Sequence, residues 1–370
     1  MELGEVIKEN RVQMCYSCGK CTLACPLTYN GNIYSPRRIV ERILAYGEKR
    51  IDPNEMWECL TCEACSQYCP SDVHYPVFVR EIRAILVKRD DHGDCAHAGI
   101  LHSMARLMAS GQLKQKRLGW LDDSLETDTR GTTLLFVGCA PYYDLILGDV
   151  GSHTEITKSA ITLLNSIGIK PRLLRNEVCC GHDMLWSGET DTFAELAELN
   201  TAMINRSKVK QIVFTCPECY NTFKEDYVDL REDIELHHLS NFLEKRLDDL
   251  RFKENGKKVT YQDSCRLGRF QGIYEAPREL LLSVPGLELV EMEDNRKKSV
   301  CCGTSCWMNC DQDSKRIQVS RLKEASQIAD VMITACPKCL IHFRCALDEP
   351  SDVNTEVKDL FVMLAESLES

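Results

Sequence analysis

The chain has no apolar run approaching the roughly 18 residues that a membrane span requires. It also lacks glycine-rich nucleotide loops: neither G-x-G-x-x-G nor G-x-x-x-x-G-K followed by Ser or Thr occurs in its 370 residues. Any flavin or nicotinamide in its chemistry therefore belongs on another polypeptide. Basic charge is short as well. Lys and Arg number 45 against 56 Asp and Glu, a net charge of -11 that argues against a nucleic-acid partner. The start, Met1 to Val6, has neither the basic residues nor the apolar stretch of a secretory signal. A soluble cytoplasmic protein with room for two or three domains is expected.

Cysteine is abundant, at 22 residues. Disulfide frameworks belong to short secreted chains, whereas clustered cysteines in a cytosolic protein usually hold metal. The first eight fall in two runs, Cys15-x2-Cys18-x2-Cys21-x3-Cys25-Pro26 and Cys59-x2-Cys62-x2-Cys65-x3-Cys69-Pro70. Each matches the bacterial ferredoxin run, in which three close thiols wrap one 4Fe-4S cubane and the fourth reaches the neighbouring cluster. The expected sets are Cys15, Cys18, Cys21 and Cys69 for one cubane, and Cys59, Cys62, Cys65 and Cys25 for the other. Two zinc sites are the alternative, since zinc also takes C-x-x-C pairs. Between and after the runs, Ser35 to Leu44 and Pro76 to Lys88 predict capped helices, the second with Phe78, Ile82, Ile85 and Leu86 at helical spacing.

Ten further cysteines form one pattern written twice. The first copy is Cys139, Cys179-Cys180-Gly181 and Cys216-Pro217-Glu218-Cys219. The second is Cys265, Cys301-Cys302-Gly303 and Cys336-Pro337-Lys338-Cys339. Gaps before the adjacent pair are 39 and 35 residues, and those after it 35 and 33. Five thiols per copy exceed what one cubane or a tetrahedral zinc uses. The surroundings repeat too, which marks a tandem duplication. Apolar runs precede Cys139 and Cys265, helices are predicted at 154–167 and 275–284, and strands at 170–175 and 287–292. Strand, cysteine-bearing turn, helix is the common plan, placing the thiols at carboxyl ends of strands.

This cysteine pattern resembles the CCG-domain iron-sulfur family over nearly the whole chain, and the domain order resembles the D subunit of heterodisulfide reductase. The resemblance implies an α-helical ferredoxin-like domain followed by two tandem α/β CCG repeats. The expected division is 1–90 for the ferredoxin domain, 91–130 for a connector, and 131–250 and 251–370 for the repeats. It further implies two cubane and two non-cubane 4Fe-4S clusters. Each five-cysteine set would hold a non-cubane cluster, the two facing each other across the site where a mixed disulfide of two thiol coenzymes is cleaved. A flavoprotein partner of the heterodisulfide reductase A type, or a membrane cytochrome, would supply electrons. Iron-sulfur subunits of glycolate and lactate dehydrogenases share the motif while only carrying electrons. A substrate-free electron-transfer role, of the 2-hydroxy acid dehydrogenase or acyl-CoA reductase type, is therefore the alternative. A third reading takes Cys216-x2-Cys219 and Cys336-x2-Cys339 as thioredoxin-like dithiols.

Other residues carry separate expectations. His182 and His342 are candidates for proton delivery. Lys338, Arg266 and Arg269 are candidates for holding an anionic substrate head or tuning a cluster. Gln262 stands before Asp263 where a histidine is frequent in the family. In the connector, His92, Cys95, His97 and His102 are read as incidental to a loop and helix. Cys306 and Cys310, four apart as on one helix face, are read with Cys345 as packed thiols.

Overall fold

The computed structural model describes residues 2–150, 153–308, 310–347, 353 and 355–369. Its N-terminal part is helical. Two short helices, Lys20–Leu23 and Ala64–Gln67, each carry a cysteine inside a ferredoxin run. Two longer ones, Pro36–Tyr46 and Tyr75–Val87, hold the runs together. Ser35 caps the helix after it by accepting from the Arg38 N–H, and Pro36 takes the first position, as the sequence predicts. Helix Ile100–Ala109 occupies the connector.

Among the described residues seven strands follow, in two parallel sheets. β1 (Thr133–Phe136), β2 (Gln211–Phe214) and β3 (Glu235–His238) form the first in that order. β4 (Lys258–Gln262), β5 (Glu288–Leu289), β6 (Val331–Thr334) and β7 (Glu356–Asp359) form the second, ordered β5-β4-β6-β7. Where β5 lies beside β4, the first repeat has one isolated parallel bridge, Leu134 to Arg172. The predicted strand over 170–175 thus shrinks to a single bridge, and the one over 287–292 to two residues. Both sheets have the same order once that bridge is counted. The edge strands β3 and β7 have no counterpart in the sequence reading.

The repeats hold each other by reciprocal packing. Helix His153–Ser166 of the first lies on Leu360–Glu366 of the second, while Ala276–Leu282 of the second lies on Leu239–Glu244 of the first. Each contact joins a helix from early in one repeat to the helix closing the other. That is the pattern of a pseudo-twofold axis between duplicated halves. Apolar burial drives it: Ile156, Ala160, Leu243, Leu280, Phe361 and Leu364 are all essentially solvent-free.

Candidate metal centre

All 22 cysteines are thiols, and no disulfide joins any of them. The ferredoxin runs place theirs by a repeated backbone device. Ser17 and Gly19 in the first run, and Thr61 and Glu63 in the second, lie in the left-handed region at equivalent positions. Each run is thereby curled so that its thiols point inward. Backbone N–H groups are directed at two of the sulfurs, Thr61 N at Cys59 Sγ and Val73 N at Cys69 Sγ, each 3.4 Å. Cys21 has Cys15 and Cys69 as electrostatic neighbours, and Tyr16 contacts Cys18 beside Cys69. Cys25 has Cys62 and Cys59 as neighbours. The fourth cysteine of each run thus lies by thiols of the other, Cys69 by Cys21 and Cys25 by Cys62 and Cys59, and Cys65 neighbours Cys21 as well as Cys59, Cys62 and Cys25. Burial differs sharply: Cys18 is exposed, Cys15, Cys21 and Cys69 half-buried, and the other four buried. Burial pushes Cys25 up to about 12.

The five-cysteine sets share one connectivity. In the first, Cys139 contacts Cys179, then Cys180, then Cys219, then Cys216. In the second, Cys265 contacts Cys301, then Cys302, then Cys339, then Cys336. The middle thiol is shifted down in both, and in the second set Cys265 is lowered as well, by the Cys301 thiol. Donation from Cys179 and Cys219 holds Cys180 below the ordinary thiol range, and donation from Cys301 and Cys339 does the same to Cys302. Cys139, Cys216 and Cys336 follow directly on β1, β2 and β6, as the common plan predicts. Cys265 follows β4, but turns rather than a helix come after it.

The two sets meet over a buried polar floor. Glu218 and Lys338 occupy the same position in the two Cys-Pro-x-Cys motifs and form a 2.7 Å ion pair. Lys338 also binds Asp183. Burial works against the charges, but Asp183 and Glu218 outweigh it and hold the Lys338 ammonium well above the usual lysine value. His182 contacts Asp183 and Glu218 through Nδ1 at 3.1 and 3.5 Å, while Arg266 Nε donates to His182 Nε2 at 3.0 Å. An arginine donor on Nε2 leaves the imidazole proton at Nδ1. The oxygen and nitrogen atoms of His182, Asp183 and Glu218 lie within 4.8 Å of one another, close enough to hold a metal ion. The Lys338 ammonium already supplies the cation there.

Arg266 and Arg269 are spent on the ferredoxin loop. Arg266 donates to the Thr61 carbonyl and hydroxyl at 3.2 and 3.1 Å and lies 3.8 Å over the Trp186 ring. Arg269 donates to the Cys62 and Ser299 carbonyls, both at 2.6 Å. Cys62 itself contacts Cys301 of the second set, and that contact brings it down to about 6. Gln262 donates to the Val300 carbonyl at 2.9 Å and accepts from Arg321 at 2.6 Å, which fixes the segment entering Cys301.

Some predicted neighbours do not behave as the sequence suggested. Cys306 and Trp307 are both left-handed, with φ of 42° and 56°, so no helix aligns Cys306 with Cys310. Cys306 is buried, Cys310 exposed, and Cys345 half-buried with Lys315 Nζ 3.4 Å from its sulfur. In the connector, Cys95 Sγ lies 2.9 Å from His102 Nδ1, while His92 pairs with Asp90 and His97 packs on Trp307.

Three features escaped the sequence reading. Arg83, fully buried, donates to Met56, Trp57 and Cys59 carbonyls on the ferredoxin side, to Trp186 in the first repeat and to Cys306 Sγ in the second. Its place among Val79, Ile82 and Leu86, at spacings of three and four along one helix, was the available signal. Trp307 touches the contacts of both sets. Tyr143, 3.1 Å from Cys139 Sγ, and His342, 3.3 Å from Cys302 Sγ, lie edge-on to its ring at 5.5 and 5.3 Å. Glu177, paired with Arg117 at 2.9 Å, accepts from the Val137 and Gly138 N–H groups and anchors the approach to Cys139.

Soft thiolates in buried groups, with N–H groups directed at sulfur, suit iron-sulfur clusters. Similarity to known proteins points the same way. Residues 11–73 match a 4Fe-4S dicluster domain, and 133–224 and 259–344 each match the cysteine-rich CCG domain. The chain is 27% identical over 390 residues to the probable iron-sulfur-binding oxidoreductase FadF of Bacillus subtilis, covering 88% of this chain but only 55% of that protein. It is 27% identical over 394 residues to the D subunit of the dihydromethanophenazine:CoB--CoM heterodisulfide reductase of Methanosarcina barkeri, covering 96% and 93%. The B subunit of the CoM/CoB fumarate reductase of Methanothermobacter marburgensis is 26% identical, covering 96% and 72%.

Proposed function

Because this chain belongs to the CCG-domain iron-sulfur oxidoreductases that resemble the D subunit of heterodisulfide reductase, we propose that it is the disulfide-reducing component of a larger redox complex. Cys15, Cys18, Cys21 and Cys69 would hold one cubane, and Cys59, Cys62, Cys65 and Cys25 the other. The sets beginning at Cys139 and Cys265 would hold the two non-cubane clusters. Cleaving R–S–S–R′ to two thiols takes two electrons and two protons. When bound, the paired clusters supply one electron each, to a disulfide such as that of coenzyme M and coenzyme B.

The single observation behind this reading is the shared floor of the two five-cysteine sets. The Glu218–Lys338 pair joins equivalent positions of the two repeats, so it holds the two sets at a fixed separation. Trp307 adds a second brace through Tyr143 and His342. Eight of the ten thiols are buried, Cys216 and Cys265 only partly, and Arg266 keeps the His182 proton at Nδ1, on the Asp183 and Glu218 side. Lacking a nucleotide loop, the chain would draw electrons from a flavoprotein or a membrane cytochrome. Among the described residues no helix is long and apolar enough to cross a membrane.

The second reading is an electron-transfer protein with no substrate. Oxidation of reduced viologen by the anaerobic protein, with candidate disulfides added, separates the two. Disulfide-dependent turnover supports reduction. Electron delivery to a partner enzyme with no disulfide turnover overturns it.

A further inference from the structure

We infer that the face around Cys18 is a docking surface for an acidic electron-carrier protein, one whose redox centre is ringed by carboxylates. The inference rests on the proposed assignment of Cys15, Cys18, Cys21 and Cys69 to a cubane. Of the eight ferredoxin cysteines only Cys18 is exposed, so this is where an electron has the shortest way in from outside. Large exposed apolar residues stand next to the cysteines of the two runs in sequence. Tyr16, Leu23, Tyr29 and Tyr68 are 64%, 82%, 75% and 42% exposed. Scattered apolar residues on a surface need no explanation, but a contiguous group marks an interaction site.

The last three of these line a groove of about 380 Å³. Its floor includes Ala24 and Ala64, the sequence neighbours of Cys25 and Cys65. Its far wall is Lys297 to Val300, the segment that runs into Cys301 and Cys302. A docked partner would therefore sit against both cubane loops and the approach to the second five-cysteine set.

Charge decides what kind of partner fits. Lys20, Lys297 and Lys298 line the groove against one carboxylate, Asp294. None of the three lysines takes an ion pair or a side-chain hydrogen bond among the described residues. Three unpaired cations around an apolar recess, on a chain of net charge -11, invert the local sign. Such a patch steers carboxylates and raises encounter rates. The recess is concave, so it accepts a protruding side chain, whereas a lipid surface would span it unfilled.

The test uses the anaerobic holoprotein and, as probe, an acidic two-cluster bacterial ferredoxin. Calorimetry measures binding of the oxidised pair, and stopped-flow absorbance measures reduction of the chain's clusters by reduced ferredoxin. Binding should weaken about tenfold or more between about 50 mM and about 500 mM salt. Lys297→Glu with Lys298→Glu, and separately Leu23→Asp, should each weaken binding and slow reduction about tenfold or more. Reduction by a viologen dye, which needs no docking, should stay at the wild-type rate. The variants lie on the surface, and unchanged cluster absorbance and circular dichroism would verify their fold.

The inference is overturned if wild type binds no ferredoxin, if salt has no effect, or if the variants bind normally. It is also overturned if Leu23→Asp instead abolishes flotation with phosphatidylglycerol vesicles or dissociates a dimer. Dye-driven disulfide turnover reads the proposed function independently, so failure of one leaves the other standing.

Discussion

At the scale of single residues, the polar floor is costly to build and costly to break. Lys338 is the only cation joining Asp183 to Glu218 among the described residues, and removing one partner of a buried ionic group strands the others. Lys338→Met should destabilise the protein by roughly 3–5 kcal/mol. The triple change Lys338→Met, Asp183→Asn, Glu218→Gln should recover most of that loss, because no charge remains stranded. Denaturant unfolding of the anaerobic protein checks both, and additive losses would refute the account of the floor. His238 offers a pH test. Its Nδ1 caps helix Leu239–Glu244 by accepting from the Ser240 N–H, and burial depresses its pKa to about 3. Below the ordinary value of about 6.5, the unfolded chain takes up a proton that the folded chain refuses. Stability should therefore be fully present above about pH 6.5 and fall as the pH drops toward 3, by up to about 1.4 kcal/mol per pH unit. His238→Asn keeps a capping side chain without the titration. Between pH 7 and 5.5 its stability should fall less steeply than wild type, and parallel slopes would contradict the assignment.

At the scale of elements, close contacts rather than propensities fix how the helical part meets the repeats. Gly188 has φ of +86°, and a Cβ there would lie 2.5 Å from the Arg83 carbonyl carbon and 2.6 Å from the Ala84 nitrogen, both backbone of helix Tyr75–Val87. Gly168, at φ +75°, has nothing within 4 Å. Gly168→Ala should cost only the left-handed backbone term, about 1–2 kcal/mol. Gly188→Ala should cost about 1–3 kcal/mol more, the penalty of overpacking, and should loosen the grip of Arg83 on Cys59 and Cys306. Thermal unfolding of the two variants compares them directly, and equal losses would deny the close approach. Such packing also marks where the sequence stopped being readable. The helix at Pro36 was legible from its Ser35 cap and proline, and the one at Tyr75, which has no side-chain cap, from its local apolar spacing. So were the cysteine groupings, because spacing and repetition carry them. The edge strands were not: Glu235–His238 and Glu356–Asp359 carry charged or polar residues at alternate positions, as edges do to avoid pairing with other chains. Arg83 and Trp307 were illegible for another reason. Some of their partners, Trp186 and Cys306 for Arg83 and Tyr143 for Trp307, come from segments more than 100 residues away, and the apolar spacing around Arg83 marks a buried position without naming those partners.

At the scale of the molecule, the duplicated halves, the reciprocal helix packing and the matched thiol chains form one symmetric unit, with the ferredoxin loop joined to one side through Cys62 and Cys301. The four proposed clusters of four irons each imply about sixteen irons per chain. Iron, sulfide and zinc analysis of anaerobically purified protein should find that number with matching sulfide, and a zinc-rich, sulfide-free protein would end the account. The central claim is that the two five-cysteine sets work as a pair. Its most direct measurement is dye-driven disulfide turnover of Cys180→Ala, Cys302→Ala and the double variant, with electron paramagnetic resonance of the cubanes recorded alongside. Each single change should abolish turnover almost completely, the double change should be hardly worse than either, as for groups acting as a unit, and the cubane signals should persist in all three. Near-normal turnover in one single variant, with its own cluster lost, would contradict the pairing.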